Sequence, residues 1–428
     1  MLGALMLRAY KTEMDPNNNQ RTQFARCCGV ARFVFNWALA DRIERYEFDQ
    51  PNNMYEQKRR FNALKDTQFP WVREVPYTVM ESAFANCDIA YKNFFRRVTQ
   101  IGEKAGFPNF KSKRKGLGSF KLRGNIHIYS DSVKLPIIGV VRLKEDNYLP
   151  TDGIKILAAT ISERAGHWLI SIQVEETDKP MPQSGSGVIG VDVGIKTIAT
   201  CSNGAIFENP KSLPRYDKRL THIQRELSRR VKGSRNRAKT KQKVAKLHYR
   251  IANIRCYSLH QVSSYLTVKA KPETIVLEDL NVTGMLQNRH LSKAIMDASF
   301  AELRRQLEYK CSWYGVNLVV ADRFYPSSKT CSSCGAKKPL LKLSERTFVC
   351  ESCGAVIDRD FNASLNLRDY GVDRVSEPPN KRGLPVEGID GIIFTGTDPV
   401  KQEPSVAEMQ VGIGLPYKGS STSGVKRG

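Results

Sequence analysis

Two carboxylates stand inside apolar segments of this sequence, where an unpaired charge is costly. Asp192 interrupts the run 187–195, whose β-branched residues predict a buried strand that a hairpin joins to a second strand. Glu278 lies near the end of another apolar strand, predicted at 274–280. A buried carboxylate needs a cation or hydrogen-bond donors nearby, so both residues are candidates for a charged site.

A third acidic position follows later in the chain, where Asp358 and Asp360 open a short helix that Gly371 is predicted to end. Helix capping by aspartate is an alternative explanation of this pair. Together with Asp192 and Glu278, one aspartate of the pair completes a set of carboxylates that could converge on hard cations such as Mg²⁺. Two such ions would stabilise the attacking water and the leaving oxygen of a phosphodiester.

Four of the ten cysteines form two C-x-x-C-G motifs, Cys331 with Cys334 and Cys350 with Cys353. Four thiolates at this spacing predict one tetrahedral Zn²⁺ site, and the glycine after each pair lets the backbone turn tightly around the metal. No coordination position is left open, so the predicted role of the ion is structural. A redox disulfide pair is the alternative. The remaining cysteines are predicted to be small core residues in a reducing compartment: Cys27, Cys28, Cys87, Cys201, Cys256 and Cys311.

The composition is strongly basic, with a formal net charge of +24. Such a charge indicates a polyanionic partner, most often nucleic acid. Residues 215–255 predict a helical hairpin in which only Asp217 and Glu226 oppose many cations, and this favours a phosphate-binding surface. The residues predicted to contact nucleic acid are Lys111, Lys113, Arg114, Arg229, Arg230, Lys232, Arg235 and Arg237.

The first half of the chain is predicted to contain both helices and strands. Residues 5–12 could form an edge strand, and apolar residues at helical spacing predict helices at 20–46 and 79–98. Residues 118–178 contain short strand-like runs broken by Gly, Pro and Asp turns, which predicts a small antiparallel barrel. Residues 177–187 have the composition of a linker.

The second half alternates strand, helix and strand over residues 274–321, which is consistent with a mixed sheet covered by helices. Ser299 and Glu302 have the spacing of a capping box, and Gly315 is the predicted end of that helix. Residues 373–428 are rich in Gly and Pro and lack a hydrophobic period, so they predict a disordered tail.

No apolar run approaches the roughly 20 residues of a membrane span. The N-terminus lacks the basic region and the full apolar segment of a signal peptide. We therefore expect a cytoplasmic protein.

The order and spacing of these motifs resemble the TnpB family, RNA-guided nucleases encoded by insertion sequences. The resemblance covers about residues 5–372. The segments that carry it are Arg32–Trp37, Gly106–Lys111, Gly190–Gly194, Leu277–Leu280, Pro326–Cys331, the two cysteine motifs and Asp358–Ala363.

The resemblance implies a RuvC nuclease domain of the RNase H-like class, with Asp192, Glu278 and Asp360 as catalytic residues that bind two Mg²⁺ ions. In the family's last motif the catalytic Asp lies two residues before an Asn, which selects Asp360 over Asp358. A guide RNA from the end of the mobile element would pair with double-stranded target DNA, and the protein would read shape and a short adjacent motif. Miniature type V CRISPR effectors share this plan.

The implied fold class is multidomain: an α/β nuclease core with an inserted zinc ribbon, a wedge-like β-barrel and a helical recognition lobe. The expected boundaries are 1–12 with 118–180 for the barrel, 13–117 for the lobe, 181–328 with 357–372 for the RuvC domain, 329–356 for the ribbon and 373–428 for the tail. Such a protein would work in the prokaryotic cytoplasm, associated with the nucleoid.

Two other functions are compatible with parts of this interpretation of the sequence. A guided DNA-binding transcriptional regulator could use the same fold without cleavage, and loss of the carboxylates would be its sequence sign, but all three are present. A transposase would join DNA strands, but the sequence contains no recognisable strand-transferring nucleophile or hairpin-binding motif. The leading hypothesis is therefore a Mg²⁺-dependent, RNA-guided DNA endonuclease.

Overall fold

The structure is a computed structural model that describes residues 6–48, 50, 53–101, 106–176, 185–342 and 344–376. Two compact units divide these residues. The first contains residues 6–176 and 216–250, and the second contains residues 185–215 and 251–376. Every helix within the described ranges is too short or too polar to span a lipid bilayer.

The first unit is built on a seven-stranded antiparallel sheet in the order β2-β6-β7-β1-β5-β4-β3. Its strands are β1 (Met6–Asp15), β2 (Ser119–Leu122), β3 (His127–Ile128), β4 (Ser132–Leu135), β5 (Gly139–Leu143), β6 (Ile154–Arg164) and β7 (His167–Glu176). The short strands predicted within 118–178 are confirmed. The predicted edge strand is wrong, because β1 pairs with β7 on one side and with β5 on the other. Closure of this sheet into a barrel stays a prediction.

Three helices share a hydrophobic core with that sheet: α1 (Asn18–Glu47), α2 (Met54–Leu64) and α3 (Tyr77–Ile101). Helix α1 begins with a capping box formed by Asn17 and Gln20. The ring of Phe24 lies 4.9 Å from that of Trp168 and 5.9 Å from that of Phe120, so aromatic packing joins α1 to the sheet. The predicted boundary between barrel and lobe, at residues 12–13, falls inside β1.

A helical hairpin follows, as predicted, with α4 (Ser212–Arg229) and α5 (Arg235–Ser264). Both helices cross the boundary between the two units. The buried carboxylate of Asp297 accepts hydrogen bonds from Ser212 Oγ at 2.6 Å and from the backbone N–H of Leu213. It also accepts one from Arg255 at 2.9 Å. One carboxylate therefore ties the first turn of α4 to α5.

The second unit contains a five-stranded mixed sheet in the order β10-β9-β8-β11-β12. Its strands are β8 (Val188–Asp192), β9 (Thr197–Cys201), β10 (Ile206–Glu208), β11 (Thr274–Glu278) and β12 (Asn317–Ala321). Strands β8, β11 and β12 are parallel, whereas β9 and β10 are antiparallel to their neighbours. The mixed sheet expected from the strand, helix, strand order is confirmed.

The remaining elements are α6 (Val282–Met285), α7 (Ser292–Ala298), α8 (Phe300–Tyr314), α9 (Arg359–Ser376) and the antiparallel pair β13 (Thr347–Val349) and β14 (Val356–Asp358). Gly315 ends α8 in a left-handed conformation, as predicted. The predicted capping box is wrong. Ser299 lies in the left-handed region where α7 ends, and its hydroxyl bonds to Met296 O instead of capping α8.

Gly371 does not end α9, which continues to Ser376. A Cβ at this position would lie 2.5 Å from Val276 Cγ2 and 2.8 Å from Val188 Cγ1. The glycine therefore serves close packing of the helix on β8 and β11, and the prediction of a helix stop is wrong. Residues 373–376 are helical rather than part of a disordered tail. The rest of the predicted tail lies outside the described residues.

Candidate active site

Asp192 and Glu278 lie at the ends of two neighbouring strands, at the same edge of the five-stranded sheet. Strands β8 and β11 are parallel neighbours with Val191 opposite Leu277, and each acidic residue is the next one along its strand. Carboxyl ends of adjacent parallel strands meet at the same edge of a sheet, where α/β proteins bind ligands. Both side chains are half-buried.

Helix α9 brings Asp360 to this edge by packing directly on β8. A Cβ at Gly190 would lie 2.1 Å from the carbonyl oxygen of Ser364 and 2.3 Å from the backbone nitrogen of Arg368. Only a residue without a side chain permits such an approach. Because Asp360 lies in the first turn of α9, this contact places it beside the two strand carboxylates.

The two aspartates at the start of α9 have different partners. Asp358 Oδ1 accepts hydrogen bonds from the backbone N–H groups of Asp360 and Phe361, both at 3.0 Å, so Asp358 caps the helix. Asp360 faces Asp192 and Glu278 closely enough to raise the pKa of both. The capping alternative thus describes Asp358. Of the pair, Asp360 has the larger effect on the pKa of Asp192 and also raises that of Glu278.

Burial and mutual repulsion make this site unfavourable for negative charge. Burial raises the pKa of Asp192 well above its usual range, and the neighbouring Glu278 and Asp360 raise it further. Burial also raises the pKa of Glu278, although a hydrogen bond from Ser327 and the cation of Arg359 oppose that shift. A set of clustered carboxylates of this kind is suited to a bound cation.

We call Asp192, Glu278 and Asp360 the carboxylate site. Its oxygens are the hard donors that Mg²⁺ prefers, and a divalent ion would offset the repulsion that raises these pKa values. Across the described part of the chain, however, the carboxylate site does not form a group with every donor atom within 4.8 Å of the others, whereas four cysteines do. An ion bound here would therefore need water or phosphate oxygens to complete its coordination.

The sequence did not single out three polar residues that hold Glu278 in place. The buried hydroxyl of Ser327 donates to Glu278 Oε1. Asn366 and Asn362, both buried on α9, donate to backbone carbonyls between Ser327 and the first cysteine. A signal was available, since two asparagines four residues apart share one face of a helix.

A cleft of about 300 Å³ lies beside Glu278, with walls that include Leu280 and Phe300. Arg304 and Arg323 line the same cleft, and both form ion pairs with Asp279, at 3.0 and 2.7 Å. The Arg323 and Arg304 hydrogen bonds hold the pKa of Asp279 below its usual range. Asp279 is thus a partner of arginines rather than a fourth member of the carboxylate site.

Cys331, Cys334, Cys350 and Cys353, the cysteine quartet, bring their four sulfurs within 4.8 Å of one another. The Sγ atoms of Cys331 and Cys353 are 3.7 Å apart, and those of Cys334 and Cys350 are 3.6 Å apart. A tetrahedral Zn²⁺ with bonds of about 2.3 Å requires sulfur separations of about 3.8 Å. The quartet therefore has the dimensions of a four-thiolate metal site.

The two cysteine motifs fold alike. Gly335 and Gly354 have φ values of 76° and 72°, and their N–H groups bond to the carbonyls of Cys331 and Cys350. Backbone N–H groups of Cys353 and Ser352 lower the pKa of Cys350 to about 6, which favours the thiolate that a metal binds. The pKa values of Cys334 and Cys353 are raised, since these thiols share hydrogen bonds within the quartet. The fit to the predicted zinc therefore rests on ligand spacing and turn geometry.

The residues predicted to contact nucleic acid lie in two segments of the first unit, 111–114 and 229–237. Lys111 places its Nζ 3.9 Å from the centroid of the Phe35 ring, where desolvation lowers its pKa. Arg237 donates to the carbonyls of Leu227 and Arg230 at the end of α4, and Arg230 pairs with Glu226. Arg237 is half-buried and thus has a structural task in the hairpin. The other predicted residues are exposed: Lys111, Lys113, Arg114, Arg229, Arg230, Lys232 and Arg235.

Three family models match this chain. Residues 171–289 match one described as "Probable transposase", and residues 300–367 match a "Cas12f1-like, TNB domain". Residues 6–50 match a model described as "Helix-turn-helix domain". Here those residues form strand β1 and helix α1, so the described part of this segment contains one helix rather than two.

Two bacterial relatives match nearly end to end. A "Putative RNA-guided DNA endonuclease" of Streptomyces pristinaespiralis is 35% identical over 94% of this chain and 97% of its own length. A protein of Escherichia coli (strain K12) with the same name and the suffix InsQ is 33% identical over 85% of this chain and 92% of its own length. Among solved structures, a Cas12f1-sgRNA-target DNA complex matches with a TM-score of 0.52 at 12% identity, covering 85% of this chain and 99% of that one.

Proposed function

Because this chain belongs to the TnpB family, we propose that it is an RNA-guided DNA endonuclease whose carboxylate site cuts the phosphodiester backbone. The observation that carries the proposal is the placement of Asp192, Glu278 and Asp360 from three distant segments at one sheet edge. Burial and the neighbouring carboxylates raise the pKa values of Asp192 and Glu278, and they outweigh the cation of Arg359, which lowers both. Repulsion among the three is better explained by a cation-binding role.

We assign the five-stranded sheet and α9 to a RuvC domain of the RNase H-like class. The support is the order of the strands, the antiparallel hairpin that follows β8, and the carboxylates at the ends of β8 and β11. The cysteine quartet lies between β12 and α9 in the chain, as an insertion into this domain. A single structural Zn²⁺ in the quartet would fix the loops that precede α9.

In this mechanism Asp192, Glu278 and Asp360 are the residues that would hold two Mg²⁺ ions. When bound, the ions supply charge stabilisation to the attacking water and to the leaving oxygen of the phosphodiester. The chain's own task is to fix the three carboxylates, which Gly190 achieves for Asp360 by close helix packing and Ser327 for Glu278 by a hydrogen bond. Arg304 and Arg323 offer their remaining N–H groups to phosphates in the neighbouring cleft.

Guide RNA and double-stranded DNA are the proposed partners. The exposed cations of the hairpin, Arg229, Lys232 and Arg235, and those at Lys113 and Arg114 are proposed to contact phosphates. Lys111, Arg230 and Arg237 have intramolecular partners that do not exclude a further contact. Sequence recognition would come from base pairing by the guide, and the protein would read backbone shape and a short adjacent motif.

The first experiment is purification of the chain with its bound RNA, sequencing of that RNA, and incubation of the complex with matching DNA and Mg²⁺. We expect cleavage that requires both the match and the metal. Asp192→Ala and Asp360→Ala should each lower the cleavage rate by ~10³-fold or more, about 4 kcal/mol of transition-state stabilisation, and should retain the RNA.

Asp358→Ala is the matched control, because it removes the neighbouring aspartate, whose hydrogen bonds cap α9 and whose charge raises the pKa of Asp192 less than the charges of Glu278 and Asp360 do. It should cost about 1 kcal/mol of stability and keep the cleavage rate within a few-fold. Tight guided binding without cleavage by the wild type would instead support the regulator. Joined rather than cut DNA ends would support the transposase.

A further inference from the structure

Glu278 has a hydrogen-bond partner that comes from outside the sheet. Ser327 is 3% exposed, and its hydroxyl donates to Glu278 Oε1. Ser327 lies beyond β12, in the segment 326–332 that leads into the first cysteine motif. The orientation of this carboxylate therefore depends on where that segment is held.

Asn366 fixes the beginning of the segment. Its Nδ2 donates to the backbone carbonyls of Ser327 at 2.6 Å and of Thr330 at 2.7 Å. The Thr330 hydroxyl and N–H both bond to the carbonyl of Pro326 and close a tight turn. Ser327 therefore sits on a turn whose backbone is bonded to a buried side chain of α9.

Asn362 fixes the end of the segment. Its Nδ2 donates to the Thr330 carbonyl at 2.7 Å, and its Oδ1 accepts from the backbone N–H of Ser332 at 3.0 Å. The two bonded groups lie on either side of Cys331, the first thiol of the cysteine quartet. The Asn362 carboxamide therefore bonds to the backbone on both sides of Cys331, a proposed metal ligand.

Both carboxamides belong to the helix that carries Asp360. Asn362 and Asn366 are 0% and 4% exposed and lie one helical turn apart. Buried amide groups are costly unless they are bonded, and here both sets of donors are used on the same segment. Helix α9 thus holds one catalytic carboxylate directly and a second one through the segment 326–332.

We propose that Ser327 is a positioning residue for Glu278, and that Asn362 and Asn366 link its placement to metal binding at the cysteine quartet. This inference rests on the proposed function, since it assigns a task within the same site. In metal sites, partners that orient a ligand typically change metal affinity or activity by 10–100-fold when they are removed. Loss of the Ser327 hydroxyl is expected to act on that scale.

The test measures divalent-ion binding rather than cleavage alone. Mn²⁺ is titrated into the full-length, zinc-loaded chain without RNA, and free Mn²⁺ is followed by electron paramagnetic resonance. Binding that disappears in Asp192→Ala defines the carboxylate site. We expect Ser327→Ala to weaken this binding by about 10–100-fold, with zinc content equal to that of the wild type. Ser327→Thr keeps the hydroxyl and should restore binding to within about threefold of the wild type.

Ser263→Ala is the matched control. Ser263 is also a buried serine of the second unit, but its hydroxyl bonds to Leu259 O and to Gln306 Oε1. This variant should bind Mn²⁺ as the wild type does. Wild-type Mn²⁺ affinity in Ser327→Ala would overturn the positioning role and leave the proposed function intact, since the wild type would still bind Mn²⁺ and cut guided DNA.

The link to the quartet has its own test in Cys353→Ser, which removes a thiol outside the segment 326–332. Zinc content should fall, and Mn²⁺ binding at the carboxylate site should weaken in the same direction as in Ser327→Ala. Loss of zinc with unchanged Mn²⁺ binding would overturn the link. A wild type with neither Asp192-dependent Mn²⁺ binding nor guided cleavage would overturn the proposed function as well.

Discussion

The cysteine quartet and the carboxylate site are both built to hold cations, but they are assembled in opposite ways. The quartet comes from two short motifs that fold alike, each closed by the same pair of backbone bonds and a glycine with positive φ. The carboxylate site comes from β8, β11 and α9 and exists only when a helix lies directly on a sheet. The quartet is therefore a property of local sequence, whereas the carboxylate site is a property of tertiary packing.

Removing one residue from each site should give the largest effects when zinc content and cleavage are both measured. Cys331→Ser should lose zinc, because three thiolates remain. Asp192→Asn should keep wild-type zinc content and lower guided cleavage by ~10³-fold or more. Zinc is measured by plasma mass spectrometry and cleavage under single-turnover conditions. Cys256→Ser, at a half-buried cysteine outside the quartet, should change neither. Zinc loss in Asp192→Asn would show that the two sites cannot be separated.

Gly190→Ala should damage the carboxylate site while leaving all three carboxylates in the sequence. The new methyl group would overlap backbone atoms of α9 at 2.1 and 2.3 Å, and the helix backbone cannot move aside as a flexible side chain can. Overpacking of this kind costs about 3 kcal/mol, so the melting temperature should fall on the order of 10 °C, and cleavage should fall with it.

Substitutions at two other glycines provide a comparison for the stability cost of Gly190→Ala. Gly371→Ala meets only valine side-chain atoms, so its cost should be smaller, about 1 kcal/mol. Gly29→Ala, inside α1 with nothing within 4 Å of the new Cβ, should raise stability slightly through helix propensity. Equal losses in Gly190→Ala and Gly371→Ala would contradict the role of backbone contact.

The ionisation of Asp192 should have a small effect on the stability of the zinc-loaded protein without Mg²⁺. Burial and the neighbouring Glu278 raise the pKa of Asp192, so the folded chain binds this proton more tightly than the unfolded chain does. Stability then declines as pH rises from the ordinary range of an aspartate through the raised pKa of Asp192. Asp192→Asn removes this penalty and should raise the melting temperature near pH 7, by about 2–4 °C for each kcal/mol relieved.

Adding Mg²⁺ provides a second comparison of the melting temperatures, since the ion should stabilise the wild type and have a smaller effect on Asp192→Asn. Differential scanning fluorimetry without chelator keeps zinc in place. A melting temperature of Asp192→Asn below that of the zinc-loaded wild type without Mg²⁺ would contradict the repulsion inferred here.

The sequence was sufficient wherever the signal was local. Apolar runs located β8 and β11, and the C-x-x-C-G spacing located the quartet, because pattern and structure share the same few residues. The selection of Asp360 came from family resemblance, and the capping bonds of Asp358 are consistent with it.

The sequence was insufficient wherever a residue's task depended on a distant partner. Gly371 looked like a helix stop, but it faces valines of two strands. Ser299 had capping-box spacing, but the end of the preceding helix fixes its backbone in the left-handed region. Ser327 and the two asparagines act through bonds between β11, a loop and α9, which no window of neighbouring residues contains.

The hydrogen bonds that join α4 and α5 to Asp297 have a consequence for engineering. The chain enters the basic hairpin just after Ser212 and returns from it just before Arg255, and both points are bonded to the same buried carboxylate. The two ends of the hairpin are therefore held by one carboxylate of the second unit, whereas residues 216–250 pack within the first unit, where Tyr249 stacks on His167 at 4.9 Å. A grafted hairpin would keep its attachment to the second unit through Asp297, but it would need a residue that replaces Tyr249 against His167.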